Sequence, residues 1–343
     1  MVNQLSLSDF LEKSKNTIIV DVRTPLEFEH SHIPGAVNIP IFTNEERVMV
    51  GTTYKQQGRQ PAILLGFELT GSKWANFIRE VEKLSTNKKV LVHCWRGGMR
   101  SAAMAWAFDL YGFEVSTLKG GYKAFRTNSI ESFAKIYLFK ILSGNTGSAK
   151  TEILREMKLL GEQMIDLEDL AQHQGSSFGS MGKLIQPSQE QFENLLGQEL
   201  QKMDLNKTIW LEDESVTIGK RIIPKQIWEQ MRIAPVVKIE FPKEERIEFL
   251  DQHYGTLEKD FLKSAVLGIA KRLGPLETKF TLQAIDEGRM KDFINQVLVY
   301  YDKTYSKGIK SRIEESIVNI SLNTISPHEN AKSILDFCVK KHH

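Results

Sequence analysis

The sequence predicts an α/β protein of two domains, a parallel-sheet domain followed by a second α/β domain with a helical C-terminal part. Three observations predict it. The 343 residues exceed one ordinary domain. Strand-like and helix-like stretches alternate twice along the chain, the pattern of parallel sheets covered by helices. From about Lys243 onward helical spacing takes over. The expected boundaries are 1–126 for the first domain, 127–136 for a polar linker and 137–343 for the second domain.

The elements follow in order. "NTIIVDVRT" reads as a short buried strand ending in a polar turn. "SHIPGAVNIP" is punctuated by Pro34, Gly35 and Pro40, so it reads as loop and short strand. The polar, glycine-dotted stretch from Phe42 to Gly66 reads as an excursion over the surface. "SKWANFIREVEKL" puts Trp74, Phe77, Ile78 and Val81 on one side of a helix. "KKVLVHC" is a strand, "SAAMAWAFDLYG" a helix closed by Gly112, and "EVSTLKGGYKAF" a last short strand and turn. After the connector "RTNSIESFAK", the stretch "IYLFKILSGNTGSAKTEILREMKLL" reads as strand, glycine loop and helix. Further strands are expected in "QMIDL", "TIWLED" and "PVVKIEF". A terminal strand and helix are expected in "SIVNISL" and "ENAKSILDFCV".

Composition excludes several classes. Two cysteines, Cys94 and Cys338, cannot make a disulfide framework. No apolar run approaches membrane-spanning length, so no membrane partner is expected. The opening residues lack a charged-then-apolar signal pattern, and a reducing, cytoplasmic home is expected. Forty-five basic against 43 acidic residues give a net charge of +2, so any RNA contact must come from local patches.

Two loops carry chemistry. In "VLVHCWRGGMRS", Cys94 stands where a strand hands over to a helix. Helix N-terminal amides favour thiolate over thiol. Gly97 and Gly98 permit a tight loop whose amides face one anion, and Arg96 and Arg100 add charge. The bland alternative is a buried structural cysteine. In "ILSGNTGSAKTEIL", Gly144, Lys150 and Thr151 match the phosphate-binding pattern G-x-x-x-x-G-K-[ST], after a strand and before a helix. Ala149 replaces the usual glycine, a change expected to be tolerated on a helical backbone. Thr151 marks a place for Mg²⁺. The strand "TIWLEDES" ends in Glu212, Asp213 and Glu214, which read as metal partners of this loop or as a charged surface end.

The cysteine loop and "DVRTPLEFEHSHIPGAVNIP" together resemble the rhodanese family. That resemblance implies that Asp21 and Arg23 support the loop and that Cys94 carries a transferable sulfur or selenium. The Cys-x5-Arg spacing is longer than in ordinary rhodaneses and closer to rhodanese-like phosphatases. On this domain alone, phosphatase or arsenate reductase stays open, fused to a P-loop NTPase.

Nearly the whole chain resembles the tRNA 2-selenouridine synthases. "NIPIFTNEERVMVGTTYKQQG", "HCWRGGMRS", "IDLEDLAQHQGSSFG", "WLEDESVTIG" and "VYYDKTY" carry this resemblance, with Lys303 where the family usually has proline. It implies a reaction on wobble 2-thiouridine of tRNA: geranylation of the sulfur from geranyl diphosphate, then exchange of the geranylthio group for selenium from selenophosphate. A tightly bound cofactor is not expected. The tRNA anticodon region is the expected partner, with a selenophosphate-supplying enzyme as a second. Gly144, Asn145, Thr146, Gly147, Ser148, Ala149, Lys150 and Thr151, with Gly175, Ser176, Glu212 and Glu214, are the expected geranyl diphosphate site. Cys94, Arg96, Gly97, Gly98 and Arg100 are expected to deliver selenium as a selenyl adduct on the cysteine, and His173 to act as acid, base or RNA contact. Lys220, Arg221, Lys225, Lys271 and Arg272 are candidate tRNA phosphate contacts, and Trp95 a candidate platform for a flipped base.

Overall fold

The structure, a computed structural model, describes residues 2–173, 185–254, 257–309 and 316–340. The chain divides into two compact units: Met1–Ser132 with Ser188–Gln198, and Phe133–Pro187 with Glu199–His343. No helix among the described residues is long and apolar enough to cross a membrane.

The first unit is built on five parallel strands: β1 (Asn3–Leu5), β2 (Ile18–Asp21), β3 (Ala36–Asn38), β4 (Lys89–His93) and β5 (Glu114–Leu118). Their order is β1-β5-β4-β2-β3. Strand β4 is central, and four of its five residues are buried, as a parallel strand covered on both faces requires. Around the sheet lie α1 (Leu7–Lys13), α2 (Pro25–His30), α3 (Asn44–Gln57), α4 (Arg59–Thr70), α5 (Trp74–Leu84), α6 (Met99–Tyr111) and α7 (Gly121–Ser132). Helix α5 buries Phe77 and Val81 against the sheet core, with Trp74 and Ile78 packed beside them.

Three expectations change here. The stretch from Phe42 to Gly66 is not an irregular excursion but the helical pair α3–α4. Its start is a capping box, in which Thr43 accepts from the Glu46 amide while Glu46 accepts from the Thr43 amide. The turn expected in "EVSTLKGGYKAF" starts helix α7, which runs to Ser132 through the first part of the expected linker. Finally, Ser188–Gln198 groups with the first unit rather than the second. A buried polar cluster explains this. Glu190 accepts from Ser31 and from Tyr122, both at 2.6 Å, and Asn194 donates to the Tyr122 hydroxyl at 2.8 Å. Burial, then the Glu190 hydrogen bond, pushes the Tyr122 phenol up to about 12.

The second unit also has a five-stranded parallel sheet: β6 (Phe139–Gly144), β7 (Gln163–Met164), β8 (Ile209–Glu212), then, past the small antiparallel pair β9 (Thr217–Ile218) and β10 (Arg221–Ile222), β11 (Val236–Glu240) and β12 (Ile317–Ser321). The order β12-β11-β6-β8-β7 places β6 between neighbours reached in opposite directions. Such a switch point opens a crevice at the carboxyl ends of the strands. Helices α8 (Lys150–Leu159), α9 (Leu167–Leu170) and α11 (Lys225–Ile233) accompany this part, whereas most of α10 (Gln189–Lys202) falls in the Ser188–Gln198 segment of the first unit. The helical part is α12 (Lys243–Tyr254), α13 (Lys259–Leu273), α14 (Pro275–Asp286) and α15 (Met290–Ile309), with their own apolar core around Val266, Ile285, Phe293 and Leu298. Helix α16 (Pro327–Lys340) packs Ala331 and Ile334 into the sheet core.

Candidate functional site

Cys94 follows directly on the central strand β4, and α6 starts five residues later. The side chain is buried, 3% exposed, yet it does not face hydrocarbon alone. The Gly98 amide donates to Sγ at 3.3 Å, and the Ser101 hydroxyl lies 3.3 Å from Sγ. Burial pushes the thiol up. The Ser101 hydrogen bonds, the Arg100 charge and the Gly98 amide outweigh it, and the net shift is down, toward thiolate. Arg100 itself is tied to Glu27 by two hydrogen bonds, of 2.7 and 3.3 Å. The same Glu27 carboxylate accepts from the Thr24 amide and so caps α2. Arg96 is exposed.

The loop is closed from below by the start of α7. The Tyr122 amide donates to the Cys94 carbonyl at 2.9 Å and the Lys123 amide to the Trp95 carbonyl at 3.0 Å. Gly121 has φ +59°, and a Cβ there would stand 2.3 Å from the Cys94 carbonyl oxygen, so this close approach admits only glycine.

Asp21 and Arg23 are fully buried and joined by Nε and Nη2 hydrogen bonds of 2.6 to 3.0 Å. Burial opposes ionisation of Asp21, but the hydrogen bonds and charge of the Arg23 fork hold its carboxyl below the usual range. The Arg23 guanidinium lies 4.0 Å over the Tyr122 ring and 5.8 Å from the Trp95 ring, so this pair braces the residues on both sides of the loop. His93 is fully buried, and burial pulls its imidazole down to the neutral form.

In the second unit, the glycine loop joins β6 to α8 at the switch point, from Gly144 to Thr151. Ser148 donates its hydroxyl to the Asn145 carbonyl at 2.6 Å and fixes the turn. Ala149 has φ +51° and ψ +33°, in the left-handed region, not the helical backbone expected from sequence. A side chain there is strained, which is why a glycine suits this place in the pattern. Lys150, 7% exposed, pairs with Glu212 at 3.1 Å, and Thr151 donates to the other Glu212 oxygen at 2.9 Å. Glu168, Glu212 and Glu214 bring carboxylate oxygens within 4.8 Å of one another. Burial first, then the Glu212 and Glu168 charges, push Glu214 well above the usual carboxylate range. Asp213 lies apart from this trio and accepts from Ser143 at 2.8 Å.

The helical part braces this loop. Arg246, on α12, donates to the Thr146 carbonyl at 3.1 Å and forks onto Asp302 of α15 at 2.8 and 2.9 Å. A Cβ on Gly147 would lie 2.9 Å from Leu250, on the same helix.

His173 ends the short turn after α9, and its amide donates to the Glu168 carbonyl at 3.0 Å. Its Nδ1 is buried without a hydrogen-bond partner among the described residues, and burial pulls the ring down toward the neutral form. Gly175 and Ser176 lie outside the described residues. The basic candidates sit on separate elements: Lys220 and Arg221 at the β9–β10 turn, Lys225 at the start of α11, and Lys271 and Arg272 in the last turn of α13. Arg272 donates to the Tyr300 hydroxyl at 3.3 Å. Sequence reasoning missed His93, Glu27, Glu168 and Arg246. Only Glu27 left a local signal, the Thr-Pro-x-Glu capping pattern at 24–27.

Comparison with known proteins gives two family matches. Residues 4–128 match the rhodanese-like domain, and residues 138–332 match the tRNA 2-selenouridine synthase AAA domain. Similar curated proteins carry the name tRNA 2-selenouridine synthase. One, from Nitrosomonas eutropha, is 33% identical over 93% of this chain and 81% of its own length. Another, from Shewanella denitrificans, is 34% identical over 84% of this chain and 87% of its own. A third, from Sulfurovum, is 35% identical over 83% and 84%.

Proposed function

The chain belongs to the tRNA 2-selenouridine synthase family, and from that premise we propose that it converts wobble 2-thiouridine of tRNA to 2-selenouridine through an S-geranylated intermediate. In the first step the base sulfur attacks C1 of geranyl diphosphate, the carbon–oxygen bond breaks, and pyrophosphate leaves. Loop amides between Gly144 and Thr151, the N-terminus of α8 and Lys150 suit the diphosphate and its growing charge. The oxygen donors of Thr151, Glu212, Glu168 and Glu214 fit Mg²⁺, whose charge would offset that of the diphosphate. His173, whose backbone amide is bonded to the Glu168 carbonyl and whose ring burial pulls toward neutrality, is the residue we assign to take up or give a proton.

In the second step, selenium replaces the geranylthio group at C2 of the base. Electron bookkeeping assigns the role of Cys94. Selenium in selenophosphate is already fully reduced, so an S–Se bond to Cys94 would need a two-electron oxidant. Attack of the Cys94 thiolate on phosphorus needs none. The S–P bond forms, the P–Se bond breaks, and selenide is released to attack C2. The C2–S bond then breaks, geranylthiolate leaves and takes a proton, and water returns the phosphocysteine to thiol and phosphate. The seven-residue span from Cys94 to Arg100 suits a tetrahedral oxyanion better than a lone chalcogen.

The observation that carries this reading is the buried Cys94 sulfur, which has the Ser101 hydroxyl and the Gly98 amide each 3.3 Å away and is biased toward thiolate by them and by Arg100, in a chain that also holds a glycine loop ending in Lys150 and Thr151. The test is mass spectrometry of thiolated tRNA incubated with the protein. Geranyl diphosphate adds one geranyl mass, and selenophosphate then converts the product to selenouridine. Lys150→Ala stops the first step, while Cys94→Ala spares the first and stops the second. Loss of both steps in both variants, with unchanged melting temperatures, sinks the division. Hydrolysis of an aryl phosphate that Cys94→Ser abolishes, without any change in tRNA mass, supports the phosphatase reading instead.

A further inference from the structure

The helical pair α3–α4 adds nothing to the sheet of the first unit, yet with α5 and α6 it lines a half-open cavity of about 280 Å³. Its wall is mainly hydrocarbon, with Phe42, Ala62, Phe67, Trp74, Met99 and Ala103 among the residues that line it. Met99 and Arg100 are the decisive members, because both lie in the first turn of α6, into which the Cys94 loop leads. The arginine whose charge favours the Cys94 thiolate therefore also lines this cavity. A base whose C2 meets selenide released at the Cys94 loop therefore has an apolar compartment near the same arginine.

We propose that this cavity binds the ten-carbon geranyl chain of the S-geranylated base while C2 is presented to the Cys94 loop. The proposal rests on the reading of the reaction given above and deepens it. An apolar wall suits an isoprenoid chain, since every buried methylene favours the bound form and few wall groups demand a hydrogen bond. A nucleobase or a phosphate group would find polar neighbours chiefly in Tyr54, Arg59, Thr70 and Arg100, against a wall that is otherwise hydrocarbon. The cavity thereby distinguishes the geranylated base from the unmodified thiolated one and holds the leaving group away from water until exchange.

The test compares the full-length protein's affinity for two anticodon stem-loops, one carrying S-geranyl-2-thiouridine and one carrying S-methyl-2-thiouridine. Wild type should prefer the geranyl form by about tenfold or more, since several methylenes distinguish the two. Ala103→Phe, which fills the cavity, and Phe67→Asp, at a half-exposed wall position, should each bring the two affinities to near equality while leaving the methyl form's affinity unchanged. A thermal melt accompanies each variant, and Phe67→Asp decides if Ala103→Phe fails to fold. An intact geranyl preference in folded Phe67→Asp overturns the cavity assignment while leaving the reaction standing. No geranyl preference in wild type also overturns it. If wild type in addition forms no selenouridine from the geranylated tRNA, the reading of the reaction falls with it.

Discussion

Cys94 illustrates how one residue's chemistry is decided by small opposing effects. Its burial alone would make it an inert thiol, as most buried cysteines are. The Ser101 hydroxyl, the Arg100 charge and the Gly98 amide reverse that outcome. The Ser101 hydroxyl has one proton and two neighbours, the Cys94 sulfur at 3.3 Å and the Gly98 carbonyl at 3.0 Å. Ionisation of the sulfur favours donation to it. Thiolate absorbance of a Cys338→Ser background should therefore titrate below the ordinary cysteine range. Adding Ser101→Ala should move the midpoint up, because the folded form loses a donor to the charged state. A midpoint that stays put would assign Ser101 to loop structure alone. Cys94 and Lys150 were legible in the sequence because their local patterns name their environment. Glu27 and Arg246 were not legible as site residues, since their partners lie 73 and 100 positions away.

At the scale of elements, the two chemical loops are both strand-to-helix turns at the ends of central parallel strands. The alternation of apolar and polar runs was enough to predict them. Ala149 caps α8 with a left-handed backbone that costs a non-glycine residue energy. Ala149→Gly should relieve that strain, offset in part by the greater freedom of glycine in the unfolded chain, for a net gain of about 0.5–1 kcal/mol. Denaturant unfolding of the second unit's signal measures it, and a loss of stability would mean that the methyl group's packing outweighs the strain. The α3–α4 pair escaped sequence reading for a physical reason. Glycines at 51, 58 and 66 and a polar surface mimic a loop, whereas capping at Thr43 and packing on Phe42 make helices of it. Tertiary contact overrides weak local propensity in such a segment.

On the scale of the whole molecule, a balanced net charge leaves tRNA binding to local basic positions. The last turn of α13 offers Lys271 and Arg272, both exposed. In the double variant Lys271→Ala, Arg272→Ala, the slope of log affinity for tRNA against log salt should fall by about one to two. An unchanged slope would assign these residues to a solvated helix face. The helical part has a second service, since Arg246 links it to the phosphate loop and to Asp302. By itself the sequence determined the two α/β units, the cysteine turn, the phosphate loop and the family resemblance, because short motifs and hydrophobic periodicity are local quantities. Tertiary structure alone decided that Ser188–Gln198 joins the first unit, that Glu168 meets Glu212 and Glu214, and that an apolar cavity lies beside the cysteine turn. These depend on which distant segments share one volume, and burial and charge pairing settle that only once the chain has folded.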